Sequence, residues 1–185
     1  MEITVVRHGE TDWSLAGKHT GKTDVELTET GRRRAREVGG RLAGQSFGLV
    51  LSSPLLRARE TCELAGFGAS MEICEDLREW DYGDYEGLTT PQIREQNPGW
   101  DLWRDGCPGG ETAAAVGARA DRALARLRAA DGDAIAFAHG HILRVLGARW
   151  IAMDPRAGAR LALSTAGLSV LGYERETEVL WRWNT

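Results

Sequence analysis

A chain of 185 residues and 20.2 kDa fits one domain and leaves too little for two independent cores of ordinary size. Hydrophobic residues at 42%, charged residues at 27% and 28 glycines plus prolines make a globular composition and exclude disordered or collagen-like chains. The formal charge of −4, from 23 basic against 27 acidic residues, excludes attraction of nucleic acid or acidic membranes by bulk charge.

No apolar run reaches the roughly 18 residues of a membrane span, and residues 1–6 enter a strand at once, so neither a membrane segment nor a secretory leader is expected. Cys62, Cys74 and Cys107 are odd in number and hold no Cys-x-x-Cys pair. This argues against a disulfide framework or a cysteine-built zinc site and for reduced thiols in the cytoplasm. Lys18 and Lys22 are the only lysines among the basic residues, a bias of composition. His8, His19, His139 and His141 are the only seats for histidine chemistry.

Residues 3–6 form a β-rich apolar run, followed to residue 26 by a polar, Gly-rich stretch that reads as a long loop. Thr28 is the candidate N-cap of a helix reaching about residue 43, with Val38 and Leu42 on one face. The cluster Arg32, Arg33, Arg34 and Arg36 reads as a solvated helix face paired with Glu29 and Glu37. Residues 47–51 read as a second buried strand, and Pro54 suits the first turn of a helix running to about residue 65. A third strand is expected near residues 71–74. Next comes a turn-rich region, 76–112, containing Trp80, Tyr82, Tyr85, Trp100 and Trp103. A helix at 112–130, a strand at 134–138 and a helix at 142–152 follow. Strands at 160–164, 168–173 and 179–183 complete the chain, the last two as a hairpin turning near 175–177. Trp181 and Trp183, two apart in that last strand, are expected to face one side together.

Strands alternating with helices imply right-handed crossovers. The expected fold is one α/β domain over residues 1–185, a three-layer α/β/α sandwich with a mostly parallel sheet and an antiparallel edge. Ligands of such sheets bind at the carboxyl ends of the strands, so the loops leaving at Arg7, Ser52 and His139 should share one edge.

His8 and His139 each leave a strand and precede a glycine. Gly9 and Gly140 are expected to let the backbone turn sharply and a ligand approach. Arg57 falls in the first turn of the helix after the second strand, where free amides and a guanidinium attract an anion. Two histidines with Arg7 and Arg57 make a positive pocket for a phosphoryl group, and an imidazole can attack phosphorus directly. Such a pocket also needs an acid, and Glu79 is the candidate, with Glu86 and Glu10 as rivals.

In these motifs the sequence resembles the histidine phosphatase superfamily, also called the phosphoglycerate mutase-like family. The segments that carry the resemblance are Arg-His-Gly-Glu-Thr at 7–11, residues 20–31, Ser-Ser-Pro-Leu-Leu-Arg-Ala-Arg-Glu-Thr at 52–61, residues 77–83 and Ala-His-Gly at 138–140, in family order. The resemblance implies that His8 is a phosphorylated nucleophile, that Arg7, Arg57 and His139 hold phosphoryl oxygens, and that Glu79 donates and then accepts the proton. It places Thr20, Gly21 and Tyr82 in the substrate shell, for which Ser14, Gly140 and His141 are further candidates; Trp103 and Arg104 are candidates, with Trp100, for a lid, the alternative for the tryptophans being packing at the core edge. Ser14 stands where many mutases carry Asn, and residues 86–112 contain no lysine, which favours a phosphatase over a mutase. Residues 77–87, 103–107, 110–112 and 137–141 look most like the sedoheptulose-bisphosphatase-like branch of sugar phosphatases.

The function implied is metal-independent hydrolysis of a small phosphate monoester, a sugar phosphate or bisphosphate, with no cofactor and no nucleic-acid or membrane partner. The alternatives are a phosphoglycerate mutase and a non-catalytic phospho-ligand-binding module. The state is expected to be monomer or homodimer. His139 and His141 could together ligate a metal, but alternate positions on a strand would point them to opposite faces. His141 stands between substrate contact and structural residue, and His19 reads as a loop residue near the pocket rim.

Overall fold

The computed structural model describes residues 1–185. Its strands, β1 (Ile3–Arg7), β2 (Leu49–Ser52), β3 (Met71–Ile73), β4 (Ala134–Ala138), β5 (Leu168–Glu174) and β6 (Thr177–Arg182), form one sheet in the order β3-β2-β4-β1-β5-β6. The first four of that order run parallel, and β5 and β6 add an antiparallel edge, as the alternation of elements implied. Helices α1 (Asp12–Leu15), α2 (Glu29–Arg41), α3 (Leu56–Leu64), α4 (Thr90–Gln96), α5 (Leu102–Asp105), α6 (Ala113–Arg128) and α7 (Gly140–Trp150) lie among them.

Period-two alternation divides the core into two layers. On β4, the small Ala134, Ala136 and Ala138 face α6 and α7 and leave room for Val116, Leu124, Leu143 and Trp150. The large Ile135 and Phe137 point the other way, against Val38 of α2, Leu42 at its C-terminal cap and Cys62 of α3. Each of these large buried side chains contributes about 1.5–3 kcal/mol by leaving water. Threonine hydroxyls start several helices. Thr28 caps the Gly31 N–H, Thr112 caps Ala115, and Thr11 and Thr89 form reciprocal capping boxes with Ser14 and Gln92.

Several expected elements differ. Residues 160–164 are not a strand, because their carbonyls serve side chains instead of a ladder. Leu163 C=O accepts from Arg7 at 2.6 Å, and Ala162 C=O accepts the Trp183 indole N–H at 2.6 Å. Pro54 precedes α3 instead of opening it, since Leu55 N–H is taken by Ser53 Oγ and Leu56 N–H by Asp24 at 2.8 Å. The loop after β1 contains α1, and the turn-rich region contains α4 and α5. Trp183 lies beyond β6 and packs over Gly147, whereas Trp181 is half exposed above Gly172.

Register puts the functional segments together. Arg7 pairs with Ala138 and Ser52 with Phe137, so β1, β2 and β4 release His8, Ser53 and His139 at one level of the carboxyl edge. Backbone bonds from His8 N–H to Ala138 C=O and from Ser53 N–H to Phe137 C=O, each 2.9 Å, continue the ladder into these loops.

Candidate active site

His8 is buried at the end of β1, its ring centroid 5.2 Å from that of His139. Its Nδ1 lies 2.7 Å from Gly9 C=O, which can only accept, so Nδ1 carries the proton and Nε2 keeps its lone pair. Gly9 is held in turn by Thr61, whose hydroxyl accepts the Gly9 N–H at 3.0 Å and donates to Arg57 C=O at 2.7 Å. Burial holds the His8 imidazole well below its usual pKa, and the Arg57 and Arg7 cations push the same way, so His8 is neutral at pH 7.

His139 is the N-cap of α7 and is fully buried. Its Nε2 meets Ser53 Oγ at 2.7 Å, and Ser53 Oγ, which accepts Leu55 N–H at 3.3 Å, has no other acceptor for its own proton, so the hydroxyl donates to His139 Nε2. The His139 proton then sits on Nδ1, a buried atom without a hydrogen-bond partner. Arg7 Nε and Arg57 Nε are the other two such side-chain atoms. Desolvation by burial lowers both guanidinium pKa values from their usual level, and burial followed by Arg57 and His8 keeps His139 neutral. Leaving a buried donor unpaired costs about 1–3 kcal/mol, so three together mark a place shaped for acceptor oxygens.

The two arginines are aimed by backbone. Arg57 donates to the carbonyls of Thr23, Thr20 and Gly21 at 2.9, 2.9 and 3.1 Å, and Arg7 to that of Leu163. The amide at the start of α3 is not available to an anion as the sequence suggested, because Asp24 occupies it. The glycines also act differently. Neither Gly9 nor Gly140 has a positive φ. A Cβ on Gly9 would come 2.6 Å from Gly31 C=O, and one on Gly140 would press on the Arg7 guanidinium at 3.3 Å.

Glu79 docks on the first turn of α7. Its Oε1 accepts the N–H groups of Trp80 and Ile142 at 2.9 Å, and its Oε2 accepts that of His141 at 3.0 Å. The helix that presents His139 therefore also fixes Glu79. The loop is clamped from behind by Arg119, which pairs bidentately with Glu111 at 2.8 Å and donates to the carbonyls of Asp76 and Arg78. Glu10 is instead bound to the Thr28 hydroxyl, and Glu86 accepts the Gly21 and Thr23 N–H groups.

A cavity of about 250 Å³ opens over this edge, lined by Arg7, His8, Glu79, Tyr82, Gly140 and His141, with Ser14 and Thr20 also on its wall. Arg57 and His139 lie buried behind it. The Tyr82 hydroxyl is 2.6 Å from His141 Nδ1 and its pKa is raised well above normal by burial, so it donates to a His141 kept neutral by burial and by Arg144. His139 and His141 are the N-cap and second residue of α7, so the strand alternation expected for them does not apply. No three His, Cys, Asp or Glu side chains cluster as a metal site requires.

Gly21, Trp103 and Arg104 do not line the cavity. A Cβ on Gly21 would strike Glu86 and the Trp80 carbonyl, so this glycine serves loop packing. Arg104 is exposed and paired with Asp105, Trp100 is buried with its indole N–H on Gly106 C=O, and Trp103 meets His141 edge-on at 5.4 Å between ring centroids. No lid forms from these three. Lys18, His19, Thr90, Arg144 and Leu163 line the cavity although only the rim position of His19 was expected. Helical spacing could have found Arg144, which follows Gly140 by four residues on one face of α7.

The histidine phosphatase superfamily (branch 1) matches residues 3–185. An acid phosphatase of Mycobacterium tuberculosis is 45% identical over 177 residues, which cover 93% of this chain and 86% of that protein. Sedoheptulose 1,7-bisphosphatase of Saccharomyces cerevisiae is 37% identical over 182 residues, covering 80% and 67%. The solved structure of an open reading frame of Mycobacterium tuberculosis superimposes with a TM-score of 0.93 at 41% identity, covering 99% of this chain and 96% of that one. The chain belongs to branch 1 of the histidine phosphatase superfamily and is a phosphoric monoester hydrolase.

Proposed function

We propose that the enzyme hydrolyses a small phosphate monoester, a sugar phosphate or sugar bisphosphate, in two displacements through a phosphohistidine on His8, without a metal ion or organic cofactor. One observation carries this reading. The unprotonated Nε2 of His8 shares a buried strand edge with three unpartnered N–H donors, on Arg7, Arg57 and His139.

In the first displacement His8 Nε2 forms a bond to phosphorus while the bond from phosphorus to the ester oxygen breaks. The leaving oxygen takes the proton of the Glu79 carboxyl and departs as an alcohol. Water then attacks phosphorus, gives its proton to the Glu79 carboxylate, and the bond from phosphorus to nitrogen breaks. Inorganic phosphate leaves and His8 returns. Arg7, Arg57 and His139 Nδ1–H donate to the equatorial oxygens, where charge spreads in the transition state.

His8→Ala should lower kcat/KM at least a thousandfold, and near wild-type activity in that variant would sink the mechanism. Chelators should leave the rate unchanged. Loss with chelator and recovery with added metal would overturn metal independence. A coupled assay of 3- to 2-phosphoglycerate conversion, primed with bisphosphoglycerate, should give no product beyond hydrolysis, whereas net isomerisation would make the enzyme a mutase. The partner in this reading is a small molecule alone. No helix is long and apolar enough to cross a membrane, and Cys62, Cys74 and Cys107 are free and buried, which agrees with the reducing cytoplasm we propose as its location.

A further inference from the structure

A second cavity, of about 410 Å³, lies at the opposite, amino end of the parallel strands, on the α2 side of the sheet. Its floor is one row across neighbouring strands, since register pairs Thr4 of β1 with Val170 of β5, and Val170 with Arg182 of β6. The turn after α2 contributes Gln45 and Ser46, and the segments entering β1 and β4 contribute Glu2 and Asp133. Thr4 stands four residues before His8, about 13 Å along an extended strand. No residue lines both this cavity and the catalytic one.

Thr4 is only 4% exposed and faces the cavity, yet its hydroxyl has no hydrogen-bond partner in the protein. Its neighbours on that face of the sheet, Val6, Ile135 and Val170, are apolar, so packing alone is served equally well by valine. A buried hydroxyl without a partner carries a desolvation cost that a polar group of a ligand relieves.

The charges around this row are held apart. Asp133 Oδ1 accepts the Glu2 N–H at 2.7 Å, which sets both acidic residues at one corner, near the partially negative C-terminal end of α2. Neither carboxylate has a basic side chain within ion-pair distance, whereas Asp121, Asp154 and Glu178 each have one. The Arg182 guanidinium makes neither an ion pair nor a hydrogen bond, and Arg41 is committed to the carbonyl and hydroxyl of Thr185 at 2.8 and 2.9 Å. Thr4 and Arg182 are two strand spacings apart, about 10 Å, so the cavity has an acidic end, a hydroxyl between, and a basic end.

We infer that this cavity is a second, non-catalytic binding site, and that it takes an extended zwitterion the size of a dipeptide. The ammonium group goes to Glu2 and Asp133, the carboxylate to Arg182, and the central amide to the Thr4 hydroxyl, which can donate or accept. A single amino acid carries both charges on one carbon and is too short to reach both ends. An extended dipeptide spans about 7 Å, and the protein side chains close the remaining distance.

Glycylglycine is the probe. Calorimetry should show saturable binding with a dissociation constant of about 1 mM or below, equal in wild type and in His8→Ala. N-acetylglycylglycine lacks the cation, glycylglycinamide lacks the anion, and free glycine lacks the span, so each should bind at least tenfold more weakly. Arg182→Gln should weaken glycylglycine at least fivefold. Thr4→Val keeps the β-branched shape, removes the hydroxyl and should weaken it at least threefold. Absence of saturable heat up to about 20 mM, equal affinity for the blocked peptides, or unchanged affinity in either folded variant overturns the site. Loss of binding in His8→Ala would place the dipeptide in the catalytic cavity and overturn it as well.

Discussion

The Ser53 hydroxyl receives the Leu55 N–H and meets His139 Nε2, and these two bonds decide which histidine nitrogen carries the proton. Ser53→Ala removes that decision, so kcat should fall about tenfold to a hundredfold with KM changed less than threefold, and Ser53→Thr should recover most of the rate. Unchanged kcat in Ser53→Ala would show that His139 needs no such orientation. Arg7, His8, Arg57, Glu79 and His139 were legible because each sits in a short motif at a strand end or helix start. Ser53 stood in one of those motifs, but its use depends on β2 lying beside β4, which no local pattern states. Lys18 gave no signal of chemistry either, and Arg144 gave only its spacing of four residues from Gly140. The flanking glycines serve close approach, Gly140 on the cavity wall as expected and Gly9 against the backbone of Gly31, and neither needs a left-handed φ.

Helix α2 contains adjacent glycines with opposite surroundings. A Cβ on Gly39 would come 2.6 Å from Ala65 C=O, while nothing lies within 4 Å of one on Gly40. Gly39→Ala should therefore destabilise by about 1–3 kcal/mol through overpacking against the end of α3. Gly40→Ala should stabilise by about 0.5–1 kcal/mol through helix propensity. Urea unfolding of the two variants decides this, and shifts of the same sign would refute it. The Arg119 clamp makes a different demand, since it holds the loop bearing Glu79 and touches no substrate. Arg119→Met should reduce kcat about tenfold or more and leave KM nearly unchanged. A fall in stability with kcat intact would limit Arg119 to folding. Long periodic helices and apolar strands were read close to their observed limits. The segment 160–164 was not, because alternating apolar residues cannot reveal that Arg7 and Trp183 take the carbonyls a neighbouring strand would use.

His8, His19 and His139 are buried and His141 is half-buried, and each is held below the ordinary value of 6.5. Burial is the leading cause in every case, followed by Arg57 at His8 and His139 and by Arg144 at His141, and it outweighs the Leu88 carbonyl bond at His19. Below pH 6.5 the unfolded chain takes up protons that the folded chain refuses, so stability must fall as pH drops through that window. Each histidine contributes at most about 1.4 kcal/mol per pH unit until its own folded value is reached. Urea midpoints should therefore decline from pH 7.5 to pH 5.5, and midpoints that held constant or rose would contradict this protonation pattern. The net charge of −4 gave no hint of this site, where cations outnumber acids inside one small cavity. The three-layer architecture was legible from the alternation of elements, and the meeting of β1, β2 and β4 at one edge followed from it. The whole arrangement exists, on this account, to let His8 accept a phosphoryl group. Rapid quenching of the enzyme during turnover of a radiolabelled phosphate ester tests that claim most directly. The expected result is acid-labile, base-stable label on His8, approaching one per chain and absent from His8→Ala. Turnover with no label on His8, or with label on another residue, would contradict it.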